Sequence, residues 1–276
     1  MSKKFIRTPE EWHQYDLDLV ESYRPMDDDF MRELFRDNLP LAQKVLRIIT
    51  GIHDLELTHE ESQFDLKKLL GLRSICLDVF GRDSKGQVYD LEIQRNDQGA
   101  APQRARYHSS ALDVEFLRAK GKFQTLPISY VIFITENDVL GEGELIYEVD
   151  RTIKKSGTIF KDDAHIIFIN GAYNNPDDTS DLAKLVHDFR CTNADDMYIK
   201  ELADKTREYK ETEKGVSMMC EKIENMRKEA AREAEIVTRI VTLIELVRDG
   251  DLTIEKAAKK ADMTVPEFED WMEQYA

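Results

Sequence analysis

Apolar residues between positions 28 and 50 recur at helical spacing. Between residues 28 and 50 this spacing predicts one or two helices, with a break near Leu39 and Pro40. The apolar anchors of the segment are Phe30, Leu34, Val45, Ile48 and Ile49. We therefore expect helices to precede the first strands of the fold.

The middle of the chain alternates between strand and helix patterns. Residues 74–81 and 87–94 are predicted to form a hairpin, and residues 129–135 are an apolar run typical of a buried central strand. Residues 103–120 have a helical pattern, and residues 165–169 form a further apolar strand. This order predicts an α/β fold in which helices flank a mixed sheet.

Turn-forming residues at positions 171–180 mark a boundary. We expect one domain over residues 1–175 and an all-helical region over residues 176–276. The helical region has an apolar stripe on a long charged helix. Its members are Ile223, Met226, Ala230, Val237, Ile240, Ile244 and Val247. Packing against the first domain is favoured over a self-associating coiled coil, because the repeat is short and Glu233 interrupts it.

Two short helices are predicted at the end of the sequence. The second opens with Thr264 and Glu267 at the spacing of a capping box. Such a pair can form a DNA-reading helix-turn-helix, but here acidic residues stand where a groove reader contacts bases. They are Asp262, Glu267, Glu269, Asp270 and Glu273. We therefore disfavour DNA reading by this pair.

The distribution of charge gives two opposite indications about nucleic-acid binding. The net charge of −16 counts against nucleic-acid binding, since lysine and arginine make phosphate contacts. Residues 101–124 nevertheless carry a local basic excess, which fits either a DNA track or a solvated helix face. The basic residues are Arg104, Arg106, Arg118, Lys120 and Lys122, against Asp113 and Glu115.

The sequence also bears on the compartment. No stretch reaches the roughly twenty apolar residues of a membrane helix, and no apolar run follows the basic start as in a secretory signal. Cys76, Cys191 and Cys220 are scattered without paired spacing, which argues against a disulfide framework and a zinc site. We expect a cytoplasmic protein with no membrane association.

The predicted hairpin carries the candidate chemistry. Asp78 ends an apolar run on its first strand, and Gly86 lies in the turn. Glu92 and Gln94 project from one face of the second strand, because side chains two apart point the same way. Carboxylates that converge from adjacent strands can hold Mg²⁺, which prefers hard oxygen ligands. We therefore expect a metal-dependent phosphodiesterase site at this hairpin.

With these residues in place, the chain resembles the PD-(D/E)XK nuclease superfamily, and within it the Rpn-like recombination-promoting nucleases and putative transposases. The resemblance runs from about residue 25 to about residue 230. The segments that support it are residues 26–31, Arg73, residues 90–95, residues 104–110, residues 130–135 and residues 187–191. It implies a restriction-endonuclease-like fold and metal-dependent cleavage of DNA.

The resemblance also implies roles for the hairpin residues. Asp78 and Glu92 would be metal ligands, the carbonyl of Ile93 would complete the shell, and Mg²⁺, or Mn²⁺ as a substitute, would be the ion. Gln94 stands where the wider superfamily has lysine, and an amide can orient water but cannot supply positive charge. Leu77 stands where the superfamily has proline.

Other residues are candidates for supporting roles. Asp28, and with less support Glu33, would add an acid from the first helix, although acids in a first turn also favour the helix dipole. Arg104 and Tyr107 lie one helical turn apart and would hold phosphate together with Arg106, while core packing is the alternative for Tyr107. His108 is expected to be a hydrogen-bonded structural residue, because no partner lies at ligand spacing.

The sequence supports three hypotheses about the function of the protein. The leading one is a Mg²⁺-dependent DNA endonuclease of the mobile-element type, for which a homodimer would bring two sites to a duplex. The second is a catalytically silent DNA-binding or partner-binding protein. The acidic charge favours this reading, and retention of Asp78, Glu92 and Gln94 together argues against it. The third is an oligomerisation or regulatory module built on the helical tail.

Overall fold

A computed structural model describes residues 7–65, 76–95, 100–117 and 120–275. Three helices precede the first strand: α1 (Pro9–Ser22), α2 (Asp28–Phe35) and α3 (Leu39–Thr50). The break predicted near Leu39 lies just before α3, because Pro40 fits the first turn of a helix and the side chain of Asn38 caps it. Gly51 ends α3 in the left-handed conformation, with φ of 69°.

The fold centres on a six-stranded mixed sheet. Its strands are β1 (Leu57–Asp65), β2 (Cys76–Asp83), β3 (Val88–Gln94), β4 (Ser129–Thr135), β5 (Ile146–Val149) and β6 (Ala164–Asn170). They lie in the order β1-β2-β3-β4-β6-β5. Strands β1, β2 and β3 pair antiparallel, β3, β4 and β6 pair parallel, and β5 adds an antiparallel edge.

Helix α4 (Pro102–Phe116) connects β3 to β4 and makes their parallel pairing possible. It packs over β4 on one face of the sheet, where Ala105 and Leu112 contact the apolar cluster that includes Val131 and Phe133. Helix α2 packs against β2 and β3. Strand β3 is therefore buried along almost its whole length.

The parallel register aligns the carboxyl ends of three strands. Gln94 on β3 lies opposite Thr135 on β4, which in turn lies opposite Asn170 on β6. The same row continues into the loops, since the main-chain N–H of Glu136 donates to Gln94 and that of Gly171 donates to Thr135. This row defines one edge of the sheet, which we call the carboxyl edge.

Five helices follow the sheet: α5 (Asp181–Arg190), α6 (Lys200–Glu211), α7 (Glu213–Arg248), α8 (Ile254–Ala261) and α9 (Val265–Gln274). The chain divides into two compact units. One is Asp18–Gly215, and the other combines the described residues up to Leu17 with those from Val216 onward. The domain boundary that the sequence predicts after residue 175 stays a prediction.

The structure confirms the predicted fold class, a mixed sheet flanked by helices and followed by a helical region. Sequence patterns missed α1, β1 and β5. Strand β1 is an edge strand with the polar sequence LTHEESQFD, and β5 is a short edge strand that stays half-exposed. Helix α4 ends at Phe116, before the predicted end at residue 120. Arg73, Ser74 and Arg118 lie outside the described residues.

The second half of the apolar stripe packs within the C-terminal helices. Ile240, Leu243 and Ile244 of α7 form a cluster with residues of α8 and α9, among them the fully buried Phe268. The sequence pattern favours the first domain as the packing partner of the stripe, whereas this half of it packs on the helices that follow. The capping box at Thr264 and Glu267 is present.

Candidate functional site

The hairpin acids meet where β2 and β3 separate. Their paired register ends at Val79 and Leu91. Beyond this pair, side chains replace main-chain partners: the N–H of Asp78 donates to Glu92 Oε1 at 3.0 Å, and the N–H of Ile93 donates to Asp78 Oδ2 at 3.1 Å. Each strand thus holds the carboxylate of the other, which fixes both carboxylates at the carboxyl edge.

Arg104 connects the residues that share one face of β3. It lies in the first turn of α4, and its guanidinium donates to Glu92 Oε2 at 2.9 Å and to Gln94 Oε1 at 3.2 Å. The contact with Gln94 fixes the amide oxygen toward Arg104, so the NH₂ group of Gln94 points away from Arg104. The structure therefore brings Asp78, Glu92, Gln94 and Arg104 into one cluster.

His108 extends this cluster into the interior. It lies one turn after Arg104 on α4 and is buried. Its Nδ1 is 2.8 Å from Asp90 Oδ2, and its Nε2 is 3.3 Å from the Nε of Arg104. Because the arginine can only donate, these contacts assign a neutral imidazole that donates from Nδ1 to Asp90. Burial also lowers the pKa of His108.

Asp90 is the residue that sequence reasoning missed. It shares the face of Glu92 and Gln94, is fully buried, and has one carboxylate oxygen, Oδ1, without a hydrogen-bond partner in the described part of the chain. The alternation of Asp90, Glu92 and Gln94 along β3 was a usable signal. The prediction that His108 is hydrogen-bonded and structural agrees with its contacts, although its partner is 18 residues away.

Three carboxylates that share one largely buried site oppose each other's ionisation. Burial raises the pKa of Asp78 and of Asp90. Burial, followed by the charges of Asp90 and Asp78, raises the pKa of Glu92 to about 9. The site therefore favours retained protons or a bound cation, and a divalent ion would relieve the repulsion.

The acids of α2 differ in position. Asp28 is exposed in the first turn of α2, and its charge contributes to the raised pKa of Asp78, so Asp28 lies within electrostatic range of the site. Glu33 is buried and forms an ion pair with Arg36 at 2.9 Å. The helix thus presents Asp28 toward the hairpin acids, while Glu33 pairs with an arginine of its own segment.

The remaining predicted residues lie around the cluster. Arg106 and Tyr107 are exposed on α4, so Tyr107 does not pack in the core. Ile93 is buried, and its N–H is committed to Asp78. Lys120 and Lys122 are also exposed. Roles for these residues in holding metal, phosphate or DNA stay predictions.

The donor set fits a hard divalent cation. The carboxylates of Asp78 and Glu92 each accept a main-chain N–H from the other strand, and Asp90 adds the unpartnered Oδ1. Ligand atoms of Asp90, Glu92 and His108 lie within 4.8 Å of one another. Oxygen donors of this kind suit Mg²⁺ or Mn²⁺ better than soft metals.

The fold is restriction-endonuclease-like. Its marks are the mixed sheet, the interlocked acids Asp78 and Glu92 at the end of the β2-β3 hairpin, and Gln94 two positions after the second acid. The family model described as PD-(D/E)XK nuclease family transposase matches residues 41–257, and the chain belongs to this family. No curated protein and no solved structure matches the chain. Family membership supports a nuclease or transposase-like function.

Of the helices in the part of the chain that the structure describes, none combines the length and the apolar character that a bilayer span requires.

Proposed function

We propose that the protein is a metal-dependent DNA endonuclease that hydrolyses phosphodiester bonds. The observation that carries this proposal is the interlocked pair of Asp78 and Glu92 in a member of the PD-(D/E)XK family. Their oxygens, with the carbonyl of Ile93, would hold Mg²⁺ or Mn²⁺. Such an ion, when bound, activates water and neutralises charge on the phosphate.

The neighbouring residues would position the reactants. Gln94 keeps its NH₂ group available to donate to water or to a phosphate oxygen, because its carbonyl oxygen accepts from Arg104. Arg104 forms an ion pair with Glu92 at 2.9 Å. Its guanidinium would also be placed to pair with a substrate phosphate. Asp28 would add a further acid from α2.

His108 and Asp90 would act through Arg104. His108 accepts from the Nε of Arg104, and Asp90 holds the imidazole in the tautomer that makes this contact possible. Both are positioning residues in this proposal. Arg106, Tyr107, Lys120 and Lys122 offer exposed side chains from which the DNA backbone would be contacted.

The test is cleavage of supercoiled plasmid by the purified protein with Mg²⁺, with Mn²⁺ and with a chelator. We expect metal-dependent nicking that is lost in Asp78→Ala and in Glu92→Ala. Asp249→Asn, on an exposed acid at the end of α7, is the matched control and should cut normally. Cutting that survives both active-site changes, or that needs no metal, would reject the hairpin as the catalytic site.

The second candidate function is DNA or partner binding without catalysis. The net charge of −16 and an amide at position 94 in place of lysine favour it. A gel-shift assay with a short duplex separates the two candidates. Specific binding by a wild-type protein that does not cut with any divalent metal would support the silent protein.

A further inference from the structure

A polar cavity lies beyond the end of β6. Asn170 is the last residue of β6 and lies in register with Thr135 and, through it, with Gln94. Two strand spacings of about 4.8 Å separate the ends of β3 and β6 by about 10 Å. The loop that follows Gly171 forms one wall of the cavity, and α5 forms another.

The cavity combines aromatic rings with cations. Its volume is about 220 Å³. The lining residues that matter for recognition are Tyr173, Tyr198, His187, Lys184, Arg190 and Asn175. It is smaller than the roughly 300–1,000 Å³ of sites for drug-sized ligands. It therefore suits a single small unit that has both an aromatic face and a negative charge.

One buried carboxylate holds the rings of this cavity in place. Asp188 is fully buried and accepts the N–H of Tyr198 at 2.9 Å and the N–H of Ile199 at 2.6 Å. It also accepts from Nδ1 of His187, at 3.1 Å. The ring of His187 lies 4.9 Å from the ring of Tyr198, which is 62% exposed. An exposed aromatic on a fixed main chain is pre-organised for stacking.

The second wall is also fixed. Arg190 donates to the carbonyl of Tyr173 at 3.1 Å, and the hydroxyl of Tyr173 donates to Asp178. The carboxylate of Asp178, which also lines the cavity, accepts from the N–H of Ser180, so its charge is partly compensated. In the lining the two cations Lys184 and Arg190 thus outnumber the one carboxylate, although Lys184 also forms an ion pair with Asp181 at 3.6 Å.

The cavity wall contains a group of residues that does not suit a metal ion. His187, Asp188 and Cys191 lie close enough to share an ion. The oxygens of Asp188, however, already accept three donors, and burial raises the pKa of Cys191 to about 11, which keeps it a thiol. These three residues therefore serve the structure of the cavity wall.

We propose that this cavity binds one nucleotide unit, with the base stacked on Tyr198 and the phosphate held by Lys184 and Arg190. The unit belongs either to a strand that reaches the hairpin acids or to a free nucleotide. As part of a substrate strand, this assignment rests on the proposed nuclease function.

The test measures binding and does not depend on turnover. Calorimetric titrations with dAMP, dTMP and a 5′-phosphorylated 12-nucleotide single strand use the full chain with Asp78→Asn, in chelator. Tyr198→Ala should weaken binding by about 5- to 150-fold, the effect of losing one base–aromatic stack. Lys184→Ala should lower the salt dependence of oligonucleotide binding by about one phosphate contact.

Matched controls keep the result specific. Tyr275→Ala removes another exposed tyrosine and Lys260→Ala another exposed lysine, and both should leave affinity within twofold. Loss of dAMP and dTMP binding in Tyr198→Ala identifies a free-nucleotide site, whereas a loss for the oligonucleotide alone identifies a strand subsite. Affinities that stay unchanged in both cavity variants would overturn the proposal. A wild type that binds here but never cuts would reject the nuclease function and leave the cavity assignment standing.

Discussion

Replacing Glu92 by glutamine should stabilise the metal-free protein while it abolishes metal-dependent cleavage. Glutamine keeps the shape of Glu92 and the oxygen that accepts the N–H of Asp78. The change removes one of three neighbouring carboxylates; the other two are Asp78 and the fully buried Asp90. The native protein thus bears an electrostatic cost at the site that we propose holds a cation.

The magnitude follows from the pKa of Glu92, which burial and the neighbouring acids raise from 4.5 to about 9. An acid with a higher pKa in the folded state binds more protons when folded, so stability falls as pH rises from about 4.5 to about 9. At pH 7 the cost would be about 3 kcal/mol, at about 1.36 kcal/mol per pH unit. The ion pair with Arg104 favours the ionised form of Glu92 and so reduces this cost. We therefore expect Glu92→Gln to raise the free energy of unfolding by about 1–3 kcal/mol.

Urea denaturation at pH 5 and pH 8, with chelator and then with Mg²⁺, measures this effect. The two proteins should be nearly equal at pH 5, and the variant should be more stable at pH 8. Mg²⁺ should stabilise only the wild type, because ligand binding to the folded state raises its stability. Glu229→Gln, on an exposed face of α7, should change stability by less than about 0.5 kcal/mol. A variant less stable than wild type, or a difference independent of pH, would refute the reasoning.

Two further predictions concern the framework of the larger unit. Lys210→Met should lower the free energy of unfolding by about 1–3 kcal/mol, because three main-chain carbonyls lose their donor. Lys200 is exposed, so Lys200→Met is the control and should change the free energy of unfolding little. Urea titrations measure both variants. The carbonyls belong to Glu21, Tyr23 and Thr192. Gly171→Ala should cost about 3 kcal/mol, because a Cβ would lie 2.1 Å from the carbonyl oxygen of Thr135. A fall of less than about 0.5 kcal/mol in its unfolding free energy would contradict the crowding at Gly171.

Local pattern makes the centre of the fold predictable. Strands β3, β4 and β6 are short apolar runs, and the alternation along residues 87–94 by itself places Glu92 and Gln94 on one face. The hairpin register follows from a short turn, which predicts Asp78 beside Glu92. The strand pattern and the hairpin register depend on residues that are close in the sequence, so the sequence alone predicts them.

The tertiary structure decided the partners of these residues. The crossover of α4 over the sheet brings Arg104 to Glu92 and His108 to Asp90, across 12 and 18 residues. Edge strands β1 and β5 are recognised by their pairing, because one exposed face leaves little apolar pattern. The cavity beyond β6 likewise depends on Asp188 fixing Tyr198 ten residues later. The sequence by itself indicated Asp78, Glu92 and Gln94 as candidate site residues, whereas only long-range packing brought Asp90 and His108 beside them and set the burial that shifts the pKa values of the acids.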